Sequence, residues 1–165
     1  GFYDEDFLAE IHRQMQSMLE TNGAVIDAVY YCPHHPEVGE LPYCVVCDCR
    51  KPKPGMLERA ARDFDLNLPE CFVIGDRYGD VAMAHAVGAR GVLLMSGHGR
   101  SEYENERGAW PREPDHVAEN LIEAVRWVLQ SQISNSESQI PNLKFRISNS
   151  ESRISNPELQ ILNCG

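Results

Sequence analysis

The sequence has no run of about 18 apolar residues, so a membrane-spanning helix is not expected. Basic residues are few, with Lys and Arg totalling 15 against 25 Asp and Glu, for a formal charge of -10. After Gln130 the charges cancel, Lys144, Arg146 and Arg153 against Glu137, Glu151 and Glu158, so the acidic excess belongs to the first part of the chain. A segment that acidic is a poor nucleic-acid binder, because neutralising phosphates supplies most of that affinity. The opening GFYDEDFLAE has neither a cationic stretch nor an apolar core, so no secretory signal is expected and the cytoplasm is the expected location. An initiator Met is also lacking, as in a fragment or a processed chain.

What the sequence does have is concentrated. Of its 6 cysteines, Cys32, Cys44, Cys47 and Cys49 fall in the stretch CPHHPEVGELPYCVVCDCRKPKPGM, with His34 and His35 beside the first of them. Disulfides would suit a small secreted scaffold, whereas clustered thiols and imidazoles without an export signal suit a metal.

Apolar spacing predicts a helix over Asp4 to Asn22, ending at Gly23, and the β-branched and aromatic run AVIDAVYYC predicts a buried strand ending at Cys32. Gly55 to Leu66 returns to helical spacing. CFVIGD reads as a short strand, DVAMAHAVGA as a helix ending near Gly88, and GVLLM as another strand. SGHGRSEYENERGAWPREP reads as loop, and Val117 to Gln130 as a last helix. Strands alternating with helices predict an α/β architecture around a parallel sheet, with ligands at the carboxyl ends of its strands. The stretches beginning at Cys32 and at Gly75-Asp76 are both expected at such ends.

Residues 1–130 form the expected domain, and residues 131–165 an expected low-complexity tail. Ile133, Ile140, Ile147, Ile154 and Ile161 recur with a period of seven. A coiled coil needs a second apolar position per heptad, which here is mostly Ser or Glu. The expectation is a largely disordered extension, in the manner of a translated short nucleotide repeat.

A structural zinc ion takes four N or S ligands, commonly as two close pairs joined by a loop. Cys32 and His34 make one pair, and Cys47 and Cys49 the other. His35 could replace His34, and Cys44 could replace Cys47. Without a metal, the same residues would be reduced surface thiols. Directly after them, RKPKPG offers Arg50 as a planar fork and Lys51 as a point charge for phosphate oxygens, on prolines that stiffen the turn. The plainer alternative is a solvated basic run. Asp76 and Asp80, in GDRYGD after a buried strand, could hold Mg²⁺ through oxygen ligands, or could serve as a helix cap and a surface acid.

These stretches taken together resemble the haloacid-dehalogenase-like (HAD) phosphatases. YYCPHHP, VCDCRKPKPGML and FVIGDRYGD are similar to the branch that acts on D-glycero-D-manno-heptose 1,7-bisphosphate, close to the histidinol-phosphate phosphatases. The likeness covers roughly residues 1–130. It implies an HAD-like Rossmannoid fold with a zinc loop held by Cys32, His34, Cys47 and Cys49. It makes Lys51 the lysine that bridges nucleophile and phosphate, and Arg50 a substrate-phosphate contact. Asp76 becomes the Mg²⁺ acid and Asp80 the second acid of that stretch, while Arg77 stands where the family often has a substrate-facing Lys. The implied reaction removes the 7-phosphate of the sugar bisphosphate, and the implied complete protein is a cytoplasmic monomer whose partner is a small phosphorylated sugar.

One departure is large. The family's nucleophile is an aspartate of a DxDG-type stretch on the first, central strand. Asp4 and Asp6 near the start have that spacing, but helical spacing follows them and no apolar strand precedes them. The nucleophile strand is therefore expected to be missing, and this chain by itself to be inactive. Two other readings remain: a non-catalytic zinc module that binds phosphorylated ligands or a protein, and a degenerate reading frame with no role.

Overall fold

The computed structural model describes residues 4–139, with side-chain surroundings through residue 133. Its centre is a parallel sheet of β1 (Phe72–Gly75), β2 (Arg90–Leu94) and β3 (His116–Ala118), in that spatial order. Phe72 lies against Arg90 and Gly75 against Leu93, while Val92 lies against His116 and Leu94 against Ala118. All four residues of β1 are buried, as in a strand covered on both faces.

Alternation along β1 sends its side chains into two apolar clusters. Val73 joins Met56, Leu57, Ala60, Met83 and Ala84, which come from α2 (Gly55–Phe64) and α3 (Tyr78–Ala86). Phe72 and Ile74 join Val92, Ala118, Ala124 and Val128, the last two from α5 (Leu121–Gln139). Trp127 of α5 sets its ring edge-on to Phe72 at 5.8 Å and stacks on His116 at 4.5 Å. The α/β class with a parallel sheet is therefore observed.

Helix α1 (Glu5–Thr21) agrees with its apolar spacing, and Gly23 follows it with φ at 75°. Asp4 caps the helix, its carboxylate accepting from the Phe7 amide at 2.8 Å, and Asp6 lies in the first turn. This aspartate pair is thus a helix start, and the second pair with the same spacing, Asp63 and Asp65, closes α2. No residue of α1 is buried, and Phe7, Ile11 and Met18 stay exposed.

Three expectations need correcting. Residues 24–32 form no strand: an extended run becomes one only beside a ladder partner, and none lies beside it among the described residues. Consequently the Cys/His stretch does not begin at the end of a sheet strand, whereas Asp76 does. The segment read as loop contains α4 (Gly99–Asn105) and a 3₁₀ turn at Arg107–Ala109. The last helix, expected over Val117 to Gln130, begins later and runs further, since His116–Ala118 is β3 and α5 spans Leu121–Gln139. The later units of the seven-residue repeat lie outside the described residues.

Candidate functional site

The site grows from two turns that meet near the carboxyl end of β1. The first carries the basic residues. Gly55 starts α2 by donating its amide to the Asp48 carbonyl at 2.9 Å, and a Cβ there would sit 2.5 Å from that oxygen. Only glycine closes this turn, which places Arg50 and Lys51 just before the helix. The second turn follows Gly75, where a Cβ would lie 2.3 Å from an Asp80 carboxylate oxygen. Glycine at that position lets Asp80 fold back against β1.

The two turns are joined by an ion pair, with Lys51 Nζ 2.9 Å from Asp80 Oδ1. The Asp80 side chain is 7% exposed and that of Lys51 is 23% exposed. Burial pushes the Asp80 carboxyl above its ordinary value, Lys51 pulls it part of the way back, and the neighbouring Asp76 charge adds to the rise. Asp76 Oδ2 accepts the His98 amide at 3.1 Å. Gly97 makes room for this, since a Cβ there would come within 2.1 Å of the same oxygen.

Beside the basic turn, Cys32, His34, Cys47 and Cys49 offer ligand atoms that all lie within 4.8 Å of one another. Cys49 Sγ is 3.1 Å from Cys32 Sγ, 3.2 Å from Cys47 Sγ and 3.4 Å from His34 Nδ1. Three thiols and an imidazole suit a tetrahedral, borderline-soft cation. Burial opposes ionisation of Cys47, but hydrogen bonds from Cys49, Cys32 and the Arg50 amide outweigh it and lower its pKa. Burial, together with Cys32 and Cys47, raises that of Cys49. The two alternative ligands, His35 and Cys44, are not in this converging group. His35 Nδ1 accepts the amides of Glu37 and Val38 at 3.2 and 3.0 Å, and Cys44 forms an isolated backbone bridge with His35.

The remaining residues singled out from the sequence are placed less centrally. Arg50 is exposed, and its guanidinium donates to the His34 carbonyl at 2.8 Å, which ties the basic turn to the Cys/His loop. Arg77 is paired with Glu102 at 3.1 Å. Two features lay beyond sequence reasoning. Glu102 comes from a segment read as loop. Glu5 accepts the hydroxyls of Tyr31 at 2.7 Å and Tyr43 at 2.8 Å, across a sequence separation that no local pattern signals.

Comparisons with known proteins identify the family. Residues 48–124 match the HAD-hydrolase-like family model. The D-glycero-D-manno-heptose-1,7-bisphosphate 7-phosphatase of Thermosynechococcus vestitus is 37% identical over 133 residues, covering 77% of this chain and 66% of that protein. The D-glycero-beta-D-manno-heptose-1,7-bisphosphate 7-phosphatase of Haemophilus ducreyi is 33% identical over 129 residues, covering 78% and 68%. Among solved structures, the D,D-heptose 1,7-bisphosphate phosphatase of B. bronchiseptica, complexed with magnesium and phosphate, superposes with a TM-score of 0.66 at 34% identity, over 78% of this chain and 66% of that one. The chain spans about half to two thirds of the length of most curated relatives it matches. By sequence and by fold, the chain belongs to the HAD-like family of D-glycero-D-manno-heptose-1,7-bisphosphate 7-phosphatases.

Proposed function

We propose that this chain is the phosphate-handling part of a phosphatase that removes the 7-phosphate of D-glycero-D-manno-heptose 1,7-bisphosphate. The observation that carries this reading is the Lys51–Asp80 contact of 2.9 Å, which joins the basic turn to the acidic loop at the end of a parallel strand. The mostly buried Asp80 holds the Lys51 ammonium in place, ready to face the oxygens of a phosphoryl group. Arg50 and Arg77 offer planar guanidiniums at the rim for the sugar's phosphates. Asp76, its carboxylate oriented by the His98 amide, is the acid for a magnesium ion.

When bound, magnesium would neutralise charge on the phosphoryl oxygens. Cys32, His34, Cys47 and Cys49 would hold zinc, and the Arg50 bond to the His34 carbonyl passes the order of that loop to the basic turn. The cytoplasm suits these residues, because thiols there stay reduced and available to a metal. Among the described residues neither aspartate pair of nucleophile-like spacing ends a sheet strand, since Asp4 caps α1 with Asp6 in its first turn, and Asp63 and Asp65 lie at the end of α2. The chain by itself is therefore expected to leave the ester uncleaved.

Titration with inorganic phosphate in the presence of Mg²⁺ tests the reading. Binding should depend on the metal, weaken about tenfold or more in Lys51→Ala, and lose its metal dependence in Asp76→Asn. Phosphate binding indifferent to both Mg²⁺ and Lys51 would overturn it, and phosphatase turnover by the purified chain would overturn the claim of inactivity.

A further inference from the structure

The acidic loop lacks an ordinary helix start. Residue Arg77 occupies the cap position of α3, where Ser, Thr, Asp or Asn would normally accept one of the unsatisfied amides, and its side chain makes no such bond. The acceptor comes instead from α4. Glu102 Oε2 takes the Tyr78 amide at 2.7 Å, and Glu102 Oε1 takes the Arg77 guanidinium at 3.1 Å. The Glu102 side chain is only 14% exposed.

The same segment grips the loop at three more points. His98 donates its amide to Asp76 Oδ2. Trp110 stacks on the Tyr78 ring with centroids 4.2 Å apart, and the Tyr78 hydroxyl donates to the Arg112 carbonyl at 2.7 Å. Within the loop, the Asp80 amide donates to the Arg77 carbonyl at 3.0 Å, so fixing Arg77 and Tyr78 also fixes Asp80.

We propose that Glu102 is a positioning residue for the acidic loop. By bonding Arg77 and the Tyr78 amide together, it sets the spacing between Asp76 and the Lys51–Asp80 pair, and with it the affinity for a divalent cation. This rests on the reading of Asp76 as the cation's acid. A carboxylate at a helix start is also favoured by the helix dipole, so one group supplies both an acceptor and a charge.

Binding of Mn²⁺ to the full chain, followed by electron paramagnetic resonance, separates the outcomes. Glu102→Ala should weaken Mn²⁺ binding about tenfold or more, while the far-ultraviolet dichroism is kept and the melting temperature moves by no more than about 5 °C. Glu102→Gln, which keeps the acceptor for the Tyr78 amide, should stay within about fivefold of the parent chain. If the alanine variant fails to fold, Glu102→Asp replaces it, because a side chain one methylene shorter should show the same loss. Unchanged Mn²⁺ affinity in the Ala or Asp variant, alongside lost binding in Asp76→Asn, overturns the positioning role and leaves the metal reading standing. Equal binding in the parent chain and Asp76→Asn overturns the metal reading and this role with it. Loss in the Gln variant as severe as in Ala also overturns the proposal, since the acceptor would then not be what matters.

Discussion

The stretch from α1 to the basic turn and the sheet that follows it are held together by different physics. From Phe72 onward, the strands bury Val73, Val92 and Leu93 almost completely, and helices cover both faces. Up to Arg50, the described residues include one isolated bridge, no strand, and Tyr30 as the only buried side chain. Polar cross-links hold this first region: the Cys/His cluster, Arg50 on the His34 carbonyl, Glu5 between Tyr31 and Tyr43, and the Tyr30 hydroxyl donating to Asp63 at 2.7 Å. Apolar burial is non-directional and tolerates small errors, whereas a ligand cluster works only in one geometry. The first region should therefore depend on conditions that leave the second untouched.

Chelation offers the sharpest way to break that contrast. Structural zinc in small domains contributes roughly 10–16 kcal/mol of apparent binding energy at neutral pH. Stripping the metal, or making Cys49→Ala, should release the amides of residues 32–50 to fast hydrogen exchange while those of β1 and β2 remain protected. Equal loss in both regions would show that the cluster supports the whole molecule. The converse experiment is Leu93→Ala, in the fully buried centre of β2. It should cost about 2–5 kcal/mol in denaturant unfolding, with the cluster's metal content unchanged in the protein that remains folded.

A polar clamp inside the sheet region should give a smaller effect. Asp115 accepts the Gly91 amide at 2.7 Å and pairs with His85 at 2.9 Å and Arg112 at 2.9 Å. Burial raises its carboxyl, but the Gly91 amide, the His85 ring and the Arg112 guanidinium outweigh burial, so its folded pKa lies below the ordinary 3.8. A lowered folded pKa means that the stabilisation is complete above the unfolded value and is lost as pH falls through the folded one. Asp115→Ala should therefore cost about 1–3 kcal/mol near neutrality, and the difference from the parent chain should vanish under strongly acidic conditions. A difference that persists in acid would assign the effect to packing. The smallest effect is expected at Glu5. Glu5→Gln weakens its bonds to Tyr31 and Tyr43, so amides between those tyrosines should exchange faster while the global melting transition stays in place.

Most elements with a local cause were legible beforehand. Apolar spacing marked α1 and α2, and short apolar runs marked β1, which ends at Gly75, and β2. The Cys/His spacing named the four residues that the structure brings together, although it left His35 and Cys44 open until the converging ligand atoms were seen to be those of the other four. What failed has a common origin. AVIDAVYYC has strand chemistry but no neighbouring strand among the described residues, and β3 is so short that its signal was absorbed into the helix after it. The charged, glycine-containing stretch that forms α4 has no clear apolar period.

By itself, the sequence determined which chemical groups this protein gathers: clustered thiols and imidazole, a basic turn, and an acidic loop after a buried strand. Those follow from residue type and short spacing, which are local properties. Only the tertiary structure decided that Lys51 meets Asp80, that Arg77 is held by Glu102, and that His98 steadies Asp76. Such pairings join side chains far apart in the chain, and sheet order and helix packing set their distances.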